Sequence, residues 1–296
     1  MNAEFFWHPK EHIKLPKWAS YTTPFELYAF SATVEDEVLL LYNITTPDTE
    51  EDTLFEYKLV HLKVHGAVIL HIKLPLFVDR MDQFSDGCYL FVSSRIAIDE
   101  GPNAIIANNQ GKIVSQLLLG DGINYMQIDD SDRIWVGYTD EGVYGNFGWD
   151  PSNTIGREGV VVFNRSGKRL WDARMFDMVE CSAMNINKEE QLFFIYDDFK
   201  LVKAYDDLEG SLNCGFWSIR EQYFQHFVRD EDDTFIVSDW QGQVRRLFPH
   251  STDYLPGPVI NFMDDANSLL DGEILMRGNY VYMLQDDTIY RKEFGR

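Results

Sequence analysis

One pattern recurs along this chain and narrows what it can fold into: an apolar strand, a short polar turn, then a run of β-branched and aromatic residues. It stands at YAFSATVEDEVLLLY, RMDQFSDGCYLFVSS, YMQIDDSDRIWVGY, AMNINKEEQLFFIY and QHFVRDEDDTFIVS, with a looser copy at GEILMRGNYVYMLQ. Turn-forming Asp, Asn and Gly between two stretches of strand formers read as β-hairpins. Taking Leu40, Phe91, Trp135, Phe193, Ile236 and Tyr282 as equivalent points, the copies lie 43 to 58 residues apart. Counted off the C-terminus and back in from the N-terminus, the step from Tyr282 to Leu40 is 54 residues, inside the same range. Spacing that continues through the chain ends predicts a closed ring, an all-β, six-bladed β-propeller.

The whole of residues 1–296 is expected to form one domain, with blades at about 24–75, 76–119, 120–173, 174–217, 218–255 and 256–296. The pentapeptide HIKLP occurs at His12–Pro16 and again at His71–Pro75. The second copy ends a hairpin and fits the outermost strand of the first blade. The first copy is expected to hold the same place in the last blade, so that an N-terminal strand at 12–16 closes blade 6 and covers its edge.

Acidic residues outnumber basic ones 48 to 26, a formal net charge of −22. Such a field repels phosphate backbones and anionic membrane surfaces, so neither nucleic acid nor a membrane is an expected partner. Three cysteines without metal-ligand spacing read as free thiols. Together with an N-terminus that lacks an uninterrupted apolar stretch, they predict a cytoplasmic protein.

The longest irregular segment, residues 139–159, is expected as an insertion between strands of the third blade. It supplies candidate ligand-binding residues Asp140, Tyr144, Asn146, Trp149 and Arg157, and Asp140, Glu141, Arg157 and Glu158 are placed to pair across its base. Entries to the first strands add Asp121, Asn124 and Glu180, with Gln222 and Asp265 beside them. Carboxylates converging at a channel mouth are able to hold a divalent cation such as Ca or to act as acid and base. No local motif requires a cofactor, however, and the pairs His8/His12 and His61/His65 lack the glutamate of a zinc-protease helix. In a hairpin tipped by His65-Gly66, His61 and His71 point to opposite faces. Five of the hairpin turns carry acids, 13 in all, which predicts a negative crown on one face.

Residues 120–171, with IWVGY, DEGV, GN and GW between 134 and 149, resemble a group of uncharacterised bacterial six-bladed β-propeller proteins. The resemblance implies the fold and no activity. By architecture the chain also resembles regucalcin and gluconolactonase-like propellers, which hold a divalent metal in the central channel; their ligand motif has no counterpart here. The function expected is a non-catalytic module that binds a protein or small molecule, the alternative being a channel-centred, metal-dependent hydrolase or lyase.

Overall fold

The computed structural model describes residues 10–45, 54–188, 191–195, 200–206, 212–219, 223–251 and 253–295. It divides into two compact units, Thr23–Phe216 and a second made of Met1–Thr22 with Trp217–Arg296. Strands dominate: helix among the described residues is confined to one five-residue α-helix and two 3-10 turns.

In chain order, β1 (Glu11–Lys14) and β2 (Lys17–Ser20) come first and belong to the second unit. The unit Thr23–Phe216 holds successive quartets. These are β3 (Glu26–Ala32), β4 (Val38–Asn43), β5 (Phe55–Lys63) and β6 (Gly66–Leu74), then β7 (Arg80–Gln83), β8 (Tyr89–Val92), β9 (Ala104–Ala107) and β10 (Ile113–Leu117). Next come β11 (Ile123–Ile128), β12 (Ile134–Tyr138), β13 (Val160–Phe163) and β14 (Arg169–Asp172), followed by β15 (Cys181–Ile186), β16 (Gln191–Ile195), β17 (Lys200–Asp206) and β18 (Leu212–Ile219), the last of which runs across the unit boundary. The helix α1 (Asp140–Tyr144) lies between β12 and β13.

The first three quartets are blades, and burial explains their strand chemistry. The middle strands β8, β12 and β9 are buried throughout and read as unbroken apolar runs, because neighbouring blades cover both faces. The outer strand β6 alternates instead: Leu70, Ile72 and Leu74 are buried while His71 and Lys73 are exposed. The cores are shared between blades, Leu90 and Ile106 packing with Ile128, Val136 and Val161. Gly137 interrupts IWVGY for a reason of space, since a Cβ there would stand 2.7 Å from Cys181 Sγ in the next blade.

Polar side chains stitch the first strands of adjacent blades near their C-terminal ends. Ile128 N–H donates to the buried carboxylate of Asp82 at 2.7 Å, and Ile186 N–H donates to Gln127 Oε1 at 2.7 Å. The connections from second to third strand and from one blade to the next therefore emerge at one end of the blades, and the turns between first and second strands at the other.

The second unit contains β19 (His226–Arg229), β20 (Phe235–Ser238), β21 (Val244–His250) and β22 (Asp253–Met263), then β23 (Glu273–Arg277), β24 (Tyr280–Gln285) and β25 (Thr288–Glu293). Ser218 and Ile219 of β18 pair in parallel with Asp253 and Tyr254, which links β15–β18 and β19–β22, with β1, into one nine-stranded sheet. Four four-stranded sheets and this larger one make up the propeller.

Two expectations need correction here. His12–Lys14 do not pair with the last strands of the chain: β1 runs parallel to β22, Ile13 opposite Phe262. Residues 17–20 do the closing, β2 pairing antiparallel with β25. The boundary expected at 255 also falls inside β22. Its Pro256 and Pro258 are accommodated because the register with β21 is irregular around them, where a missing N–H is tolerated. The His65-Gly66 turn becomes Val64-His65, which sets Lys58 opposite His71 and His61 opposite Val68; His61 and His71 still face opposite sides.

Candidate functional site

The insertion after β12 is a built ledge. Thr139 caps α1, its hydroxyl accepting from Gly142 N–H, and Val143 is buried in the core shared by the second and third blades. Gly142 presses on the preceding connection so closely that a Cβ would lie 2.7 Å from Asp121 O. Trp149 is 9% exposed, and its Nε1–H donates to Ile96 O at 2.9 Å. Ile98 N–H donates to Phe147 O, which fixes the ledge to the β8–β9 connection.

The sequence reading passed over Arg95, which organises this end. Its Nε donates to Asp121 Oδ1 at 3.1 Å, Nη1 pairs with Glu141, and the guanidinium lies 4.7 Å from the Phe147 ring centroid. Asp121 is buried and also accepts from Ile96 N–H at 2.8 Å. Asn146 donates to Glu141 Oε1 at 2.9 Å and accepts from Phe147 N–H. Above this network Tyr144 and Phe147 are 53% and 54% exposed.

Several expected roles change accordingly. Trp149 is a peg inside the protein, and Asn146 holds the ledge in shape. The pairing across the loop base does not form: Glu141 turns to Arg95, Asp140 accepts from Glu141 N–H, and Arg157 is exposed. Asn124 and Glu180 make no contact with the ledge among the bonds described; they form a second group. Asn124 Nδ2 donates to Cys181 O at 3.1 Å and lies 3.4 Å from Glu180 Oε1, while Arg80 Nε donates to Asn124 O at 3.1 Å. Gln222 lies outside the described residues, and Asp265 belongs to the other unit.

At the hairpin turns, most crown acids are occupied. Glu35 pairs with Lys188 at 2.5 Å, Asp86 with Arg165 at 2.6 Å and Asp233 with Arg229 at 2.5 Å; Asp230 pairs with Arg246. Asp132 accepts from Ser85, and buried Asp129 accepts from Arg133 and from Trp135 Nε1–H. Glu189 and Glu190 lie outside the described residues. Glu37 holds a buried network: its carboxylate lies 2.7 Å from His61 Nε2 and 2.9 Å from Lys63 Nζ, and Tyr89 OH is 3.0 Å from His61 Nδ1. Burial, aided by Lys63 and opposed by Glu37, pushes the His61 imidazole down to about 4. Neutral His61 has a single ring proton for two close contacts, Nε2 with Glu37 and Nδ1 with Tyr89.

Among the described residues no three His, Cys, Asp or Glu side chains gather as a metal cluster, and no helix is long and apolar enough to cross a membrane. Cys88 and Cys181 are free thiols.

These blades, with their shared cores and stitched first strands, define a β-propeller. Comparison with solved structures agrees: a catalytically inactive virginiamycin B lyase from Staphylococcus aureus with quinupristin is similar over 92% of this chain and 97% of its own, at a TM-score of 0.50 and 12% identity. A putative gluconolactonase is similar over 94% and 91%, with a TM-score of 0.49 and 12% identity. At 12% identity the likeness to the lyase is one of fold. No protein-family model matches the sequence, and no curated protein matches it.

Proposed function

We propose that the chain is a six-bladed propeller of the cytoplasm that acts as a non-catalytic binding module, receiving a protein or small ligand on the ledge of its third blade. The six-blade count takes the nine-stranded sheet as two antiparallel quartets joined through β18 and β22, in keeping with the spacing of the six hairpin copies. The observation that carries the binding reading is the exposure of Tyr144 and Phe147 on a ledge locked from beneath by Trp149, Gly142 and Arg95. Large aromatics on pre-ordered backbone lose little entropy on binding and make strong anchors.

The metal-dependent hydrolase or lyase has Asn124 and Glu180 as its best donors. That pair fits a divalent ion poorly, because Arg80 is bonded directly to Asn124 and already supplies positive charge there. Elemental analysis of purified, dialysed protein separates the readings. The binding module should carry well under one divalent ion per chain, whereas one tightly held ion per chain would favour the enzyme.

A further inference from the structure

Arg80, Asn124 and Glu180 stand at the starts of three successive first strands: Arg80 opens β7, Asn124 is second in β11, and Glu180 immediately precedes β15. In a propeller these strands border the central channel. All three residues are partly exposed.

Arg80 differs from seven other arginines of this chain. Arg95, Arg133, Arg165, Arg169, Arg174, Arg229 and Arg246 each pair with a carboxylate. Arg80 pairs with none among the described residues, although acids outnumber bases 48 to 26. Its side chain is instead fixed by two main-chain carbonyls, Nε donating to Asn124 O at 3.1 Å and Nη1 to Asp79 O at 2.9 Å. A guanidinium has five N–H donors in a planar fork, so a preset cation with donors to spare remains. Next to it, Asn124 uses both amide hydrogens on Cys181 O and Glu180, which leaves its Oδ1 as an acceptor. Burial first, then Cys181 and Glu180, raise the Tyr125 phenol while Arg80 opposes them, so the positive and negative groups both act on one side chain.

We propose that Arg80, Asn124 and Glu180 form a binding site for a small zwitterion carrying a carboxylate and an ammonium group. Arg80 takes the carboxylate through its remaining N–H donors, and Glu180 with Asn124 Oδ1 takes the ammonium. The site stands apart from the ledge and does not depend on the role of Tyr144 or Phe147.

The test is calorimetric titration with free α- and ω-amino acids, their N-acetyl and amide derivatives, and inorganic phosphate. At least one free amino acid should bind the wild-type protein, with both derivatives of it weakened about tenfold or more, the scale of one lost charge-assisted hydrogen bond. Arg80→Gln should erase the preference over the amide, and Glu180→Gln the preference over the N-acetyl form. Phe147→Ala should leave both preferences intact. If Arg80→Gln does not fold, Glu180→Gln decides, since it touches neither carbonyl bond of Arg80. Failure of every amino acid to bind would overturn the proposal, as would phosphate binding more tightly than any of them, or a folded Glu180→Gln protein with wild-type selectivity.

Discussion

The guanidinium of Arg291, in β25, lies 4.4 Å from the ring centroid of Trp18, in β2. Tyr280 takes its other contact at 4.6 Å, so the segment that closes the last sheet is held by a cation between two aromatic rings as well as by the strand ladder. Three residues earlier, Leu15 is fully buried in the core of the same unit, and Glu11 pairs with Arg246 at 2.9 Å. Leu15→Ala should therefore cost about 2–5 kcal/mol, and Trp18→Ala about 0.5–2 kcal/mol, in urea unfolding. Removing residues 1–20 strips β1 and β2 together and should give aggregation or a much lower Tm. A truncated protein that melts like the full chain would refute this role.

His61 gives a pH dependence with a defined sign. Its folded pKa, near 4, lies below the unfolded value near 6.5, so the unfolded chain takes up the proton first. The corresponding stability is fully present above pH 6.5 and is lost as the pH falls toward 4. His61→Phe should flatten the stability profile between pH 7 and 5 relative to wild type, with a difference on the order of 2 kcal/mol. Parallel slopes for the two proteins in that window would contradict the prediction.

Asp129 reads in the sequence as one acid of an exposed crown, yet it is 1% exposed. It accepts from Arg133, Trp135 and two turn N–H groups. Asp129→Ala removes the acceptor of the buried Trp135 indole N–H and of two turn N–H groups and should cost about 1–3 kcal/mol. The neighbouring exposed Asp130→Ala should change stability by less than about 0.5 kcal/mol. Chemical denaturation of the two variants side by side checks the contrast.

What the sequence made legible follows from local physics. Alternation, turn residues and spacing set out the hairpins, and the excursion after Tyr138 stood out by length alone. Two features depended on contacts between distant segments. His12–Lys14 carry the same alternation whether they lie along β22 or β25, so nothing local selects the edge; the burial of Ile13 and Leu15 against Ile260 and Phe262 does. Arg95 sits in an unremarked connection, and its partners Asp121 and Glu141 lie 26 and 46 residues away. Nothing local shows that Glu141 pairs with Arg95 and not with the far end of its own loop.

Within the ledge, burial separates scaffold from surface. Trp149→Ala opens a cavity and frees Ile96 O, so it should destabilise by about 3–5 kcal/mol. Phe147→Ala removes only an exposed ring stacked on Arg95 and should cost less than about 1 kcal/mol. Replacing the whole segment by a short turn would also delete buried Val143 and Gly156, so a fall in Tm is expected from that change.

Point variants are therefore the direct test of the ledge as the binding surface. Wild-type protein, a Tyr144→Ala/Phe147→Ala double variant and a Glu35→Ala/Asp36→Ala variant of the hairpin-turn face should be used as baits in parallel quantitative affinity capture, after equal melting temperatures are verified. The account predicts that whatever the wild type retains specifically is retained by the turn-face variant and lost by the ledge variant. Retention by the ledge variant together with loss by the turn-face variant would contradict it and move the binding surface to the acidic turns.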